Sequence, residues 1–386
     1  MINKVKNFFF VLVGFSIPLS IFFTNLSLIL LLIFSILDKD YKNLNILIHK
    51  KWISSLLFLF VLYFFGLFFG EFHYDSNDLL KKLSVWLILA CLFILKIKKK
   101  SYSNGIYAFL FSILIMVTFS VLNRLEIISH FYEYFPMFLK NSNNLHLYPS
   151  THLYNYHNIL ISMSLIINFY IFSKVTNIFK CIITFYTLIL IYSLFSEPGK
   201  AGQLVFIIFL ISFTIYSFYK SKKKTIYFST LLLVFSLIFC NYSSIFINKY
   251  NDLKSKLSNI DKFERDRSVF WKSTIKKIAL NPFYGYGTGS WRAEMNKTFS
   301  NFNSIKKEHK TPHNNFLYVF FELGILGILT LINLFYSMYK ELRRKGFFKS
   351  YLVFAYATLM LFDSYMTIFI ISIAFIYLFV ISANYE

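Results

Sequence analysis

Residues 310–329 read KTPHNNFLYVFFELGILGIL, so that His313, Asn314 and Asn315 stand directly against an apolar run that then carries one carboxylate, Glu322. Histidine is the side chain whose ordinary titration lies near neutral pH, which suits it to take up a proton from a reacting group. The two amides can hydrogen-bond a sugar or orient the imidazole. Glu322 lies nine residues past His313, about 13 Å along a helix at 1.5 Å per residue, so it is not expected to touch the imidazole. A carboxylate inside an apolar helix is costly to keep, and it marks either a functional group or a structural partner elsewhere in a bundle.

A second stretch supplies cations. Residues 265–291, RDRSVFWKSTIKKIALNPFYGYGTGSW, open with Arg265 and Arg267, whose guanidinium forks suit bidentate contact with phosphate oxygens. Val269, Phe270, Ile275, Ile278 and Ala279 predict the apolar stripe of an amphipathic helix, with Lys272, Lys276 and Lys277 left polar. Asn281-Pro282 ends that helix, and Gly285, Gly287 and Gly289 allow a close approach of backbone to a ligand or another helix. Across residues 248–315 fourteen Lys or Arg stand against six acids. Such an excess either solvates an exposed loop or attracts anionic lipid and phosphate-bearing substrates. A third element, SEPGKAGQL (196–204), presents Lys200 between Gly199 and Gly202. It reads either as a cation offered at a membrane surface or as a tight turn with a snorkelling lysine.

The elements that must position these groups are membrane helices. The chain has 386 residues, 57% of them hydrophobic and 21% aromatic, with mean hydropathy +0.57 and net charge +22. A soluble domain could not hide so much apolar surface, and apolar runs of nearly the length a bilayer requires recur throughout. The expected fold is an all-α polytopic membrane protein of about twelve spans, near 8–23, 24–37, 52–70, 83–97, 105–122, 158–173, 177–195, 203–219, 225–247, 316–338, 350–363 and 364–383. The first pair divides around Thr24 and Asn25, and the last at Asp363-Ser364. Lys-rich short loops at 42–51, 96–100, 220–224 and 340–346 mark the cytoplasmic face, placing both termini inside and the loops at 70–78, 123–157, 196–202 and 248–315 outside. The basic, apolar opening MINKVKNFFFVLVGF lacks a small-residue cleavage site and reads as a retained span. The organisation expected is about nine N-terminal spans in 1–247, a large outer loop with short amphipathic helices in 248–315, and about three spans in 316–386. Cys91, Cys181 and Cys240 show neither pairing nor metal spacing. No glycine motif for nucleotide phosphates is present, and no nucleic-acid partner is expected.

Taken together, these motifs resemble the O-antigen ligase and polymerase superfamily of bacterial membrane glycosyltransferases. The carriers are Arg267, Trp271, Pro282, Gly285 and Gly287 in an Arg-x-x-x-Trp…Pro…Gly-x-Gly pattern, and His313, Asn314, Leu317, Glu322, Gly324 and Gly327 in a His-Asn-x-x-Leu…Glu-x-Gly-x-x-Gly pattern. Gly199, Lys200 and Ala201 match a third family element in which arginine is usual, so Lys200 departs from the pattern. The resemblance implies a GT-C-like helical fold and a transfer that needs no metal or other cofactor. The glycan would pass from undecaprenyl pyrophosphate to a sugar of lipid A–core, at the periplasmic face of the inner (plasma) membrane. His313 and Arg267 would then be catalytic, with Arg265, Lys200, Asn314, Asn315, Trp271 and Glu322 binding substrate. A polymerase joining lipid-linked repeat units shares the donor and is the alternative. A flippase or lipid transporter is disfavoured because the charges crowd at one face rather than at the bilayer midplane, and no internal repeat is present.

Overall fold

A computed structural model of the chain describes residues 2–69, 74–124, 154–172, 175–196, 199–220, 230, 267–299 and 310–385. The described residues are helical, with no strand among them. They divide into two compact units, one made of 1–39, 96–250 and 384–386, the other of 40–95 and 251–383.

In the first unit, helix Ile2–Ser16 packs against Ile21–Leu37 and Lys99–Arg124, and Lys200–Tyr219 packs against Tyr154–Phe172, which also meets Asn177–Ser196. The break between the first two helices falls at 17–20 rather than at Thr24-Asn25. Pro18 lacks the N–H a continuing helix needs, and the Ser20 side chain caps the next helix by accepting from the Phe23 N–H. Thr24 lies inside that helix with its hydroxyl donating to Ser20 O at 2.8 Å, a local bond that leaves the helix intact. Lys6 is fully buried and paired with Asp38, so its charge is compensated inside the unit.

The second unit is built on two long apolar helices, Lys51–Phe69 and Asn315–Arg343. Lys50 pairs with Glu341 at 2.6 Å, Asn333 donates to Ser55 Oγ at 2.8 Å, and Gly66 lies against Leu323, so the two run antiparallel. Helix Phe347–Leu359 packs on the second of them, and Phe369–Asn384 is buried on nearly every side. Trp86, Phe335, Tyr356 and Phe375 form an aromatic core, with Trp86 Nε1 donating to Met366 O at 3.1 Å. The span expected at 83–97 is instead a helical segment in three pieces, Tyr74–Leu83, Ser84–Trp86 and Leu87–Phe93. Its start reaches back into the segment expected as a loop.

Five described helices are long and apolar enough to cross a membrane, or up to six if the pair Ile21–Leu37 and Asp40–Ile48 is one span. The last two expected spans are present as the shorter apolar helices Phe347–Leu359 and Phe369–Asn384, and the span expected at 225–247 lies, apart from Thr230, outside the described residues.

Candidate active site

His313 stands at the mouth of the helix Asn315–Arg343, and the two residues after it explain how it is held. Asn314 is extended (φ −161°) and caps the helix, its side-chain oxygen accepting from Leu317 N–H at 3.1 Å, while its amide donates to Leu361 O at 3.1 Å. Asn315 donates its backbone N–H to Met360 O at 2.8 Å, and its side-chain oxygen accepts from Met366 N–H at 3.1 Å. Both asparagines are buried, and these bonds tie the helix entrance to the turn at 360–366 between the last two helices. Trp271 tightens the same corner, its indole N–H donating to Pro312 O at 2.9 Å.

That turn carries Asp363. Its Oδ1 lies 2.9 Å from His313 Nδ1 and also accepts from Ser364 N–H at 2.7 Å. Arg267, the first residue of helix Arg267–Leu280, donates from Nη1 to Phe362 O at 2.7 Å and brings Nη2 to 4.0 Å from Asp363 Oδ2. Side-chain exposure rises across the group, from 18% for Asp363 to 30% for His313 and 47% for Arg267, so the acid is the support and the other two face outward. Burial alone would raise the Asp363 carboxyl. The hydrogen bond and charge of His313, the Ser364 N–H and the Arg267 charge outweigh it and hold the group below the ordinary carboxylate value. When the ring is neutral, an Nδ1–H donating to an ionised Asp363 would leave Nε2 free to accept a proton. The His313 backbone has φ +54°, in the left-handed region that residues with a Cβ seldom occupy.

Glu322 serves a different place. It is fully buried, and Oε1 accepts from Gly289 N–H at 3.0 Å. The glycine-rich turn after helix Arg267–Leu280 pairs along the spanning helix: Tyr286 N–H donates to Phe321 O, Gly287 N–H to Glu322 O, and Ile325 N–H to Pro282 O, each at 2.9 Å. The pairing is possible because Gly324 breaks the helix with φ +63°, and a Cβ there would sit 2.1 Å from Phe283 O. The glycines thus bring backbone to helix, and Glu322 clamps the result. Helix Trp291–Phe299 follows, fixed by Trp291 Nε1 to Thr274 Oγ1 at 3.0 Å and by an Arg292–Asp75 pair at 3.3 Å.

The structure thus gathers His313 and Arg267 and adds Asp363, which sequence reasoning treated only as a divider between spans. The signal was there: an acid interrupting an apolar run. Asn314, Asn315 and Trp271 hold the corner, and Glu322 holds the turn. The apolar stripe is narrower than expected, with Phe270, Thr274 and Ile278 buried and Ile275 exposed, as is Ala279. Lys200 belongs to the other unit, exposed at the start of helix Lys200–Tyr219; its loop is held by Asn158, whose amide donates to Gly199 O at 3.0 Å. Arg265 lies outside the described residues.

Apolar helices of spanning length make this a multi-pass membrane protein, and a His–Asp pair with an arginine beside it stands at the mouth of one of them. Within the chain, residues 185–332 match the family described as O-antigen ligase. The chain is also 32% identical over 96 residues to a protein of Rickettsia felis named "Putative polysaccharide ligase"; the match covers 24% of this chain and 23% of that relative, about a quarter of its length. The family match takes in Arg267, Trp271, His313 and Glu322 and stops short of Asp363.

Proposed function

We propose that the chain is a membrane glycosyltransferase of ligase type, moving a glycan from undecaprenyl pyrophosphate onto a sugar hydroxyl of lipid A–core. The observation that carries this reading is the His313–Asp363 pair with Arg267 beside it. His313 Nε2 takes the proton of the acceptor hydroxyl as its oxygen attacks the anomeric carbon of the donor. The bond from that carbon to the pyrophosphate oxygen breaks, and undecaprenyl pyrophosphate leaves with the electron pair. Arg267, with Arg265 as a further cation, meets the charge that develops on the leaving group. Asp363 keeps the imidazole oriented and stabilises the imidazolium once formed.

A periplasmic position for the site is supported by the charge pattern. The Lys50–Glu341 pair lies at the ends of the two long helices opposite His313, next to the Lys-rich loops 42–51 and 340–346. The large loop at 248–315 then faces the periplasm, between an N-terminal spanning part and a C-terminal one. The same site would serve a polymerase, since the donor is shared. A lipopolysaccharide gel from a deletion strain separates the two: loss of every capped band supports ligation, and retention of single-unit caps means polymerisation.

A further inference from the structure

The turn after helix Arg267–Leu280 leaves a large apolar surface uncovered among the described residues: Leu280 is 79% exposed, Phe283 68% and Tyr284 74%. Its depth follows from its place along two paired helices. On Lys51–Phe69 the turn is fixed by Thr288 N–H donating to Gly66 O, fifteen residues from Lys51, or about 22 Å along the helix. On Asn315–Arg343 it is fixed by Ile325 N–H donating to Pro282 O, fifteen residues from Lys340, again about 22 Å. With the basic ends at one surface of a hydrocarbon layer about 30 Å thick, the turn lies inside the layer, some 8 Å from the opposite surface. The neighbours at that level agree, since Phe65, Phe68 and Leu326 are exposed apolar side chains on spanning helices.

Helix Arg267–Leu280 leads down to this depth. Trp271 is bonded to Pro312 before the spanning helix begins, and Pro282 to Ile325 well inside it, so the two helices descend side by side. Lys276 and Lys272 are exposed one and two turns before Leu280, about 6 and 12 Å nearer the surface, where phosphate groups lie. We propose that residues 272–284 form a lipid-docking face on the His313 side of the bilayer, with Leu280, Phe283 and Tyr284 among the acyl chains and Lys272 and Lys276 on anionic phospholipid headgroups. Apolar insertion beneath a basic rim is the arrangement by which interfacial helices bind anionic leaflets.

The test uses the full chain with its own cysteines replaced, in nanodiscs of mixed phosphatidylglycerol and phosphatidylcholine. An environment-sensitive fluorophore is placed at Phe283→Cys or, separately, at Ile275→Cys. The Phe283 probe should lose fluorescence to a nitroxide high on the lipid acyl chain and be shielded from aqueous iodide. Quenching by iodide alone overturns the proposal, because the face then meets water. Shielding from both overturns it too, because another part of the chain then covers the face. At Ile275, headgroup-labelled phosphatidylglycerol should quench more than headgroup-labelled phosphatidylcholine, and Lys272→Ala with Lys276→Ala should abolish the difference. Equal quenching by the two lipids in the parent chain removes the anionic part of the claim.

Discussion

If Asp363 acts on turnover by orienting His313, the bond that matters in its replacement by alanine is the charge-assisted 2.9 Å contact to Nδ1; the Ser364 N–H bond lost with it supports the turn. A hydrogen bond to a charged group contributes about 1.5–3 kcal/mol. At about 1.36 kcal/mol per tenfold in rate, its loss predicts a fall in turnover of roughly 10- to 100-fold. Removing the imidazole itself, in His313→Ala, should cost more, about 10²–10⁴ for a lost general base. The decisive measurement is the double variant. Because Asp363 is argued to work through His313, Asp363→Ala should add almost nothing in a His313→Ala background, where there is no ring left to orient. The assay is transfer of labelled lipid-linked glycan to lipid A–core by purified protein in detergent, with extraction yield and melting temperature as controls for folding. A full 10-fold or greater loss from Asp363→Ala on top of His313→Ala would refute the reasoning and assign the carboxylate to Arg267 or to substrate.

Arg267→Lys should lose transfer nearly as fully as Arg267→Ala while both proteins remain in the membrane, since an ammonium cannot reproduce a bidentate fork; near-wild-type activity in the lysine variant would reduce Arg267 to a point charge. Gly324→Ala forces a Cβ to 2.1 Å from Phe283 O at φ +63°, so a loss of at least about 1–3 kcal/mol is expected, read as a lower melting temperature and opening of the 282–289 turn in hydrogen exchange. The Asp363 carboxyl is held below its ordinary value in the folded chain, so its contribution to stability is present above about pH 4 and lost as pH falls through the depressed value. The melting-temperature gap between the parent chain and Asp363→Asn should therefore narrow on acidification through that window; a gap that widened would reverse the sign.

What the sequence made legible was decided by locality. The helix entrance at His313, the Pro282 stop and the glycine turn are written in adjacent residues, and the structure has all three. Asp363 is fifty residues from His313 and is brought to it by backbone and amide bonds from Asn314 and Asn315, a use of asparagine that spacing does not reveal. Glu322 was legible as unusual but not as a clamp, because its partner is a backbone N–H on another segment. The helix over 267–280 was visible as amphipathic, yet periodicity says nothing about depth, which only the pairing with Gly66 and Ile325 supplies. Ile275 is exposed for a related reason, since the narrow buried stripe runs through Phe270, Thr274 and Ile278.

His313 is one of two non-glycine residues with positive φ among the described residues. At that backbone angle a glycine would rest more comfortably than any residue bearing a Cβ. Within the fold, what the imidazole gives in return is its 2.9 Å bond to Asp363, which a glycine would lose while relieving the backbone. A comparison of melting and turnover for His313→Gly would weigh the two against each other: a backbone freed of strain against Asp363 left without its ring, with transfer expected to be lost.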